Sequence, residues 1–286
     1  TLTANCSGGC PHRASYAWTF DGADAAMPAT ASGESVTQTF ETVGTYAFSL
    51  AVTSNSKGVS LASYSGSLLC RYVRREIRQL SDADRERFFD AMQVLWSTRV
   101  DDGRTQYGDA YVDIYTLTQY HVTLSSDRTC DHMHDGLGFL TQHSGLTLAF
   151  EQALQAVDPK VSCPYWDFTI DRAHLDAGNW SSLDRSPVWR DDWFGSAKGG
   201  KGGTVTEGRW AYVAIDSVDA DSSSYHNSYG YLRAPWNNNN RPYLTRSSDL
   251  CGQEYHSIPT CSVHHMVLET TSSWTNFAWQ LPYRPH

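Results

Sequence analysis

The chain has 286 residues, of which 40% are hydrophobic, 13% aromatic and 19% charged, and its formal net charge is −9. This composition is that of a globular protein with room for one large domain or two ordinary ones, and it excludes a largely disordered chain. The acidic balance, without a cluster of Lys and Arg, argues against a nucleic-acid partner, and no apolar run approaches the ~20 residues that span a bilayer.

The first 66 residues are rich in Ser, Thr, Ala and Gly. Apolar and polar side chains alternate in residues 15–20 and 45–53, with Gly- and Asp-bearing turns between them. Such alternation predicts half-buried strands. We therefore expect residues 1–66 to form an all-β sandwich.

This region resembles a PKD-type (Ig-like) module. The resemblance rests on the strand Tyr16-Ala-Trp-Thr-Phe-Asp-Gly22 and on the later segment Phe40-Glu-Thr-Val-Gly-Thr-Tyr46. Modules of this type are usually extracellular spacers, so the resemblance implies a protein that works outside the cell.

Cysteine content also indicates an oxidising compartment, because the chain has seven cysteines. Two pairs are close in sequence, Cys6 with Cys10 and Cys251 with Cys261. Asn5 and Asn179 begin Asn-x-Ser tripeptides that are candidate glycosylation sites. The chain begins at Thr1 without a signal-peptide pattern, which favours a processed or excerpted sequence. We expect a secreted or cell-surface protein.

The sequence changes character near residue 67, where helical periodicity begins. Ser81 is followed three residues later by Asp84, which predicts that Ser81 is a helix N-cap. Apolar side chains then recur at helical spacing in three segments, residues 85–96, 111–121 and 144–157. Loop-forming residues dominate after Asp171. Residues 67–286 are therefore expected to form a mainly α-helical domain with long loops.

Two histidines form the centre of a longer motif. His134 and His143 have eight residues between them, and they precede Phe150-Glu-Gln-Ala-Leu154 and Pro164-Tyr-Trp-Asp167. This order resembles the first copper-binding half of the tyrosinase, catechol oxidase and molluscan hemocyanin family. The resemblance covers residues 70–171 and, more loosely, the rest of the chain. It implies a type 3 copper site, dioxygen chemistry on phenols and, here, an incomplete helix bundle.

The resemblance implies that His121, His134 and His143 bind the first copper. Three neutral imidazoles suit copper in both oxidation states. The alternative is that these are polar side chains satisfied at helix ends. Many family members carry Trp-His-Arg at the third ligand, whereas this chain has Gln142-His143-Ser144. The Pro-Tyr-Trp-Asp segment is given a structural role, with Trp166 packed and the following Asp capping the next helix.

His132 competes with His134 for the second ligand position. Cys130 lies two residues before His132, and in part of the family a cysteine so placed forms a thioether to the ligand histidine. We prefer His134, because His134 alone has the eight-residue gap to His143. Cys130 remains open as a thioether, a disulfide or a free thiol.

One disulfide scheme leaves Cys130 unpaired. In this scheme each of the two pairs that are close in sequence forms a disulfide, and Cys70 forms one with Cys163. Cys130 is then unpaired, which favours the thioether. This scheme is one of many that the sequence allows.

The second copper site lacks its expected motif. The family expects His-x3-His on one helix, and no such pair exists in this sequence. We interpret His286, in Leu281-Pro-Tyr-Arg-Pro-His286, as the first ligand of a His-x3-His that is cut off after one residue. His264 and His265 are weaker alternatives. The copper domain is therefore expected to be truncated at its C-terminal end, with one site at most within the chain.

Three functions are compatible with this reading. The first is a binuclear copper oxidoreductase that converts mono- or diphenols to quinones with dioxygen, once a second copper half beyond residue 286 completes it. The second is a structural extracellular glycoprotein that uses the domain as a scaffold beside assembly partners. The third is a dioxygen-binding protein. No catalytic residue beyond the metal ligands is expected.

Overall fold

The structure is a computed structural model that describes residues 1–5, 13–22, 29–125, 129–134, 137–214, 226–227, 230–231, 243–246, 249–250, 253–254 and 258–281. The chain divides into two compact units, Thr1–Val73 and Arg74–His286.

The first unit is built from β-strands. They are β1 (Leu2–Thr3), β2 (Ala14–Asp21), β3 (Thr30–Ser32), β4 (Ser35–Val36), β5 (Gly44–Ser54) and β6 (Ser60–Cys70). Four of them form an antiparallel sheet in the order β3-β2-β5-β6, and β1 pairs with β4. Both strands expected from the alternating pattern are present, since β2 spans residues 15–20 and β5 spans residues 45–53. Strand β6 extends past residue 66.

Alternation places one face of β2 and β5 in the core of the first unit. The buried residues of this core are Tyr16, Trp18, Phe20, Val36, Leu50 and Val52. The Trp18 indole donates a hydrogen bond to the Gly33 carbonyl at 2.9 Å, and the Tyr46 hydroxyl donates one to Thr42 at 2.6 Å. These two bonds satisfy the polar ends of large aromatic side chains, as burial requires.

Among the described residues of the second unit, seven α-helices are present. They are α1 (Asp82–Ser97), α2 (Val100–Tyr107), α3 (Ile114–Ser125), α4 (Gly138–Val157), α5 (Phe168–Asp176), α6 (Cys261–Thr270) and α7 (Trp274–Gln280). Short 3-10 turns occupy Ile77–Gln79, Leu183–Arg185, Pro187–Trp189 and Lys201–Gly203. Two-residue strands pair as β7 (His226–Asn227) with β8 (Gly230–Tyr231), and β9 (Asp249–Leu250) with β10 (Gln253–Glu254). The core lies where α1 and α4 meet, and Phe89, Leu95 and Leu154 are fully buried there.

Two capping predictions are confirmed. The Ser81 hydroxyl accepts a hydrogen bond from the Asp84 amide at 3.1 Å at the start of α1. The Asp167 carboxylate accepts one from the Thr169 amide at 3.1 Å at the start of α5. Each cap satisfies an amide that has no partner within its own helix.

The two helices expected beside the histidines differ from the sequence-based boundaries. Helix α3 runs past His121 to Ser125, so that His121 is not its last residue. Asp113 fixes the other end, because its carboxylate accepts from the Thr116 amide at 2.7 Å. Helix α4 begins at Gly138, six residues before the expected start, and His143 therefore lies within its second turn. Helical periodicity identified the buried stripe of α4 but not its first turns, which carry few buried residues.

An ion cluster buried in the second unit anchors the Pro-Tyr-Trp-Asp segment. The Asp171 carboxylate is fully buried, and it accepts hydrogen bonds from Arg78, from the Trp166 indole at 2.5 Å and from the Ser186 hydroxyl at 3.1 Å. Arg78 also pairs with Glu76 at 2.8 Å. The expected packing of Trp166 is confirmed, since its ring lies 5.8 Å from the Trp189 ring.

A second ion pair holds α4 to the start of the unit. Glu151, which is the glutamate of the Phe-Glu-Gln-Ala-Leu segment, bonds Arg74 at 2.6 Å and accepts from the Cys163 amide at 2.8 Å. These bonds hold the pKa of Glu151 below its ordinary value against the effect of its burial. The family motif is thus structural at this position.

Cys70, Cys130, Cys163 and Cys261 are free thiols in the structure. Cys70 belongs to the first unit and Cys163 to the second, and their pairing in the scheme above stays a prediction. Burial raises the pKa of Cys163 to about 11, which makes this thiol unreactive. Cys6, Cys10 and Cys251 lie outside the described residues. Among the described residues, no helix combines the length and apolar character that crossing a bilayer needs.

Two helical glycines give a matched pair of stability predictions. A Cβ added to Gly103 in α2 would lie 2.0 Å from the Tyr111 ring, which is fully buried. Gly103→Ala is expected to lower the free energy of unfolding by about 1–3 kcal/mol through overpacking. Gly145 in α4 has open space at the same position, so Gly145→Ala is expected to raise it by about 0.5–1 kcal/mol. Urea unfolding of both variants measures the difference, and equal effects would contradict the packing at Tyr111.

Candidate metal centre

Three histidines from different elements converge in the second unit. Helix α3 supplies His121, helix α4 supplies His143, and His134 lies in the segment between the two helices. One ligand atom from each ring lies within 4.8 Å of the other two. The ring centroids are 4.8 Å apart for His121 and His134, and 5.5 Å apart for the other two pairs. The structure thus brings together the three residues that the family resemblance implied.

Backbone and carboxylate acceptors fix the orientation of two of these rings. The Asp131 carboxylate is buried, and it lies 3.0 Å from Nδ1 of His134 and accepts the His134 amide at 2.9 Å. Nδ1 of His143 lies 2.9 Å from the Phe139 carbonyl. Because a carboxylate and a carbonyl can only accept, Nδ1 carries the proton in both rings. A neutral ring that keeps its proton on Nδ1 offers Nε2 to a metal ion.

Electrostatics keep the third ring neutral. Burial lowers the pKa of His121, and the neighbouring His134 and His143 lower it further. A neutral imidazole is the form that coordinates a metal. The donor set is three imidazole nitrogens without a carboxylate, which fits copper better than calcium or magnesium.

Lowering the pH is expected to destabilise the metal-free protein through His121. A histidine with a folded pKa below its unfolded value of about 6.5 binds fewer protons when folded. Its stabilising contribution is therefore present above about pH 6.5 and is lost as the pH falls toward the lower folded pKa. Urea midpoints between these pH values should shift less in His121→Gln than in the unchanged protein. The slope of the unchanged protein is the reference, and an unchanged slope in His121→Gln would contradict the assignment.

Asp131 is a functional residue that the sequence reasoning missed. Its only signal was a carboxylate placed three residues before a candidate ligand. Asp131→Asn keeps an oxygen for the backbone amides but cannot accept from both those amides and the ring of His134. We expect copper affinity to fall by about 10–100-fold, as when the outer partner of a ligand histidine is lost. Competition with a chelator measures this; Asp109→Asn, at an exposed site, is the control, and an unchanged affinity in Asp131→Asn would exclude the role.

Cys130 and His132 form a separate pair beside the cluster. The Cys130 thiol lies 3.1 Å from Nδ1 and 3.4 Å from Nε2 of His132, and both residues are exposed. His132 is not a member of the three-histidine group. The structure therefore places His134 with the other candidate ligands and His132 with the cysteine.

The histidines considered for a second copper lie elsewhere. The His264 ring packs against Phe168 at 5.4 Å, and His265 pairs with Glu269 at 3.1 Å on α6. Within the described part of the chain, His121, His134 and His143 are the single group of three or more metal-ligating side chains that converges. His286 lies outside the described residues.

Comparison with known proteins supports the family that the histidine motif resembles. The common central domain of tyrosinase matches residues 109–286. The tyrosinase of Streptomyces antibioticus is 31% identical over 142 residues, which are 50% of this chain and 45% of that protein. The tyrosinase of Streptomyces glaucescens is 35% identical over 156 residues, which are 54% and 50%. Grixazone synthase of Streptomyces griseus is 44% identical over 62 residues, which are 22% and 17%.

The matched stretches cover half or less of the length of each of these relatives. The family match, however, extends over more than half of this chain and contains all three clustered histidines. The chain belongs to the tyrosinase family.

Proposed function

We propose that this chain forms the first copper-binding half of a binuclear copper oxidoreductase that oxidises mono- or diphenols to quinones with dioxygen. One observation carries the proposal: three imidazoles converge from α3, α4 and the segment between them, within a tyrosinase central domain. Copper, when bound there, supplies the site at which dioxygen is reduced.

The residues of the chain have two tasks at the ion in this proposal. His121, His134 and His143 hold the ion and carry no proton on the binding nitrogen. The Asp131 carboxylate and the Phe139 carbonyl hold two of the rings in one orientation.

Two buried apolar side chains neighbour the candidate ligands. The Phe139 ring packs on His143 at 4.5 Å and is buried, and Met133 is almost fully buried beside His134. Phe139 thus covers one side of the His143 ring, and a phenol is proposed to approach the cluster from another side.

The second copper half is proposed to involve His286 and sequence that follows it. A Pro-His step is how the family's second motif often begins, and the described residues contain one converging group of histidines. A thioether between Cys130 and His132 is a further proposal, supported by their contact. Forming the C–S bond removes one hydrogen from the thiol and one from the ring, with dioxygen as the oxidant, so the mass of the purified protein tests it as a loss of two hydrogens.

We also propose that the protein is secreted and that its first unit is a PKD-like spacer. Asn5 and Asn179 are exposed, as glycosylation would require. A mass shift on treatment with a glycosidase tests this directly. Without such a shift, the glycosylation proposal falls, and the proposal of secretion rests on the cysteine content and on the resemblance of the first unit to a PKD-type module.

The deciding experiment is copper content per chain of the full natural protein, followed by oxygen uptake with a monophenol and a diphenol. Two coppers and quinone formation are the expected results. Two coppers with reversible dioxygen binding but no quinone would indicate an oxygen carrier. A protein without copper, with its three histidines intact, would be a scaffold, and the oxidase proposal would be abandoned.

A further inference from the structure

The three candidate ligands differ in how their rings are held. The His134 ring lies 3.0 Å from the Asp131 carboxylate, and the His143 ring lies 2.9 Å from the Phe139 carbonyl. Among the hydrogen bonds of the described residues, none involves the ring of His121, whose ring contacts are with the other two imidazoles. Two rings of the cluster are therefore oriented by acceptors of the protein, and the third takes its position from helix α3.

Helix α3 has little stability of its own. It is 12 residues long, most of its residues are β-branched, aromatic or hydroxyl-bearing, and it contains no Ala, Glu, Lys or Arg. Such side chains lower helix propensity, and isolated helices shorter than about 12–15 residues are marginal in water. Helix α4 is 20 residues long, and residues 149–157 of it include three alanines and a glutamate. Propensity therefore favours α4 over α3.

Tertiary packing also favours α4. The buried core around Phe89 and Leu154 takes side chains from α1 and α4, and among the described residues no side chain of α3 belongs to it. The buried residues of α3 are Leu117 and Ser125. Most helical stability in proteins comes from the packing of a buried face. We therefore expect α3 to open at a smaller free-energy cost than α4.

Contacts near both ends of α3 limit how far it can move when it opens. At its start, the Asp113 carboxylate accepts a hydrogen bond from the Thr116 amide at 2.7 Å. Near its end, the Leu124 carbonyl accepts one from the His132 amide at 3.1 Å, which connects α3 to the segment that carries another ligand. His121 lies between these two contacts. The turns around His121 can therefore open while the chain on either side stays close to the unit.

We propose that α3 is the gate through which copper enters the cluster, an inference that rests on the copper binding proposed above. Local opening of α3 moves the His121 ring away and leaves His134 and His143 in place. The ion binds first to these two oriented rings. Coordination by His121 then closes the helix, so that binding stabilises the element with the least stability of its own.

Hydrogen exchange of the metal-free full natural protein tests the opening. Backbone amides of α3 beyond its first turn should be protected about tenfold less, or lower still, than those of residues 149–157 in α4. Gly145→Ala stabilises α4, since a Cβ at this position meets open space. It should slow exchange in α4 and leave α3 unchanged, because α3 opens while α4 stays folded. Equal protection of the two helices, or equal slowing of both, would overturn the proposal.

The rate of copper uptake tests the gate. Thr123 is an exposed residue of α3 and is not a member of the cluster. Alanine and glycine at such a position differ about four- to fivefold in helix stability, so Thr123→Gly should open α3 that much more often than Thr123→Ala. Uptake through the open form should then be about four- to fivefold faster in the glycine variant at the same copper concentration. Copper per chain after timed quenching with a chelator measures the rate, and Gly145→Ala should keep the rate of the unchanged protein.

The same measurement separates failure of the gate from failure of the proposed function. Equal uptake rates in the two Thr123 variants, with copper bound at the end, would overturn the gate and leave the oxidase proposal standing. Slower uptake in Gly145→Ala would overturn it too, because the opening would then involve α4. A protein that binds no copper in any variant would overturn both proposals. Full copper content at the end of uptake shows that each variant has folded.

Discussion

Replacing Asp171 with alanine is expected to lower the free energy of unfolding of the second unit by about 3–5 kcal/mol. The Asp171 side chain is fully buried and faces Arg78, which is 16% exposed. Removing one member of a buried ion pair leaves the other charge poorly compensated. The Trp166 indole and the Ser186 hydroxyl also lose their acceptor, and an unsatisfied buried donor costs about 1–3 kcal/mol. Glu76 still pairs with Arg78, which keeps the expected loss within this range.

Asp176 provides the control in the same helix. It pairs with Arg172 at 2.8 Å and its side chain is 52% exposed, so Asp176→Ala should change stability by no more than about 1 kcal/mol. Urea unfolding followed by tryptophan fluorescence measures both variants, because Trp166 contacts the cluster. Similar small losses for Asp171 and Asp176 would mean that the cluster is solvated and does not hold this region together.

Replacing His143 with alanine is expected to remove tight copper binding from the chain. Two imidazoles would remain, and the ligand that helix α4 supplies would be gone. The affinity should fall by more than the roughly 100-fold that follows loss of an outer partner. Copper per chain after dialysis against a weak chelator measures the effect. Alanine suits the helix interior, so the far-ultraviolet circular dichroism should be unchanged.

His265→Ala is the matched control for this experiment. His265 also lies on a helix, is exposed and belongs to no converging group among the described residues. It should retain the copper content of the unchanged protein. Full copper retention by His143→Ala would show that the ion, if bound, is held elsewhere, and would remove the central support for the proposed function.

The helices and strands were easier to predict from the sequence than their packing, because they depend on local patterns. Strands β2 and β5 follow from alternation, and the caps at Ser81 and Asp167 follow from side chains that act within three residues. The start of α4 was missed, because its first turns lack the buried stripe by which helices are recognised. Hydrophobic periodicity reflects burial. An exposed helical turn beside a metal site therefore has little periodicity by which it can be predicted.

The candidate site, too, could be predicted only in part. Its histidines could be chosen from the family's spacing, but the position of Asp131 against His134 depends on how the segment between α3 and α4 folds back. Likewise, Arg78 and Asp171 meet across 93 residues of sequence, and no local pattern predicts that contact. Long-range contacts of this kind come from the packing of the whole unit.

That long-range contact has a consequence for the order of folding. The ion pair between Arg78 and Asp171 closes a loop of chain that contains all three clustered histidines. Helices such as α3 and α4 form quickly from local contacts, whereas closing a long loop is entropically unfavourable and comes late. The closed loop confines its interior to far fewer conformations. Copper that binds after the loop has closed would therefore meet ligands whose conformations are already restricted.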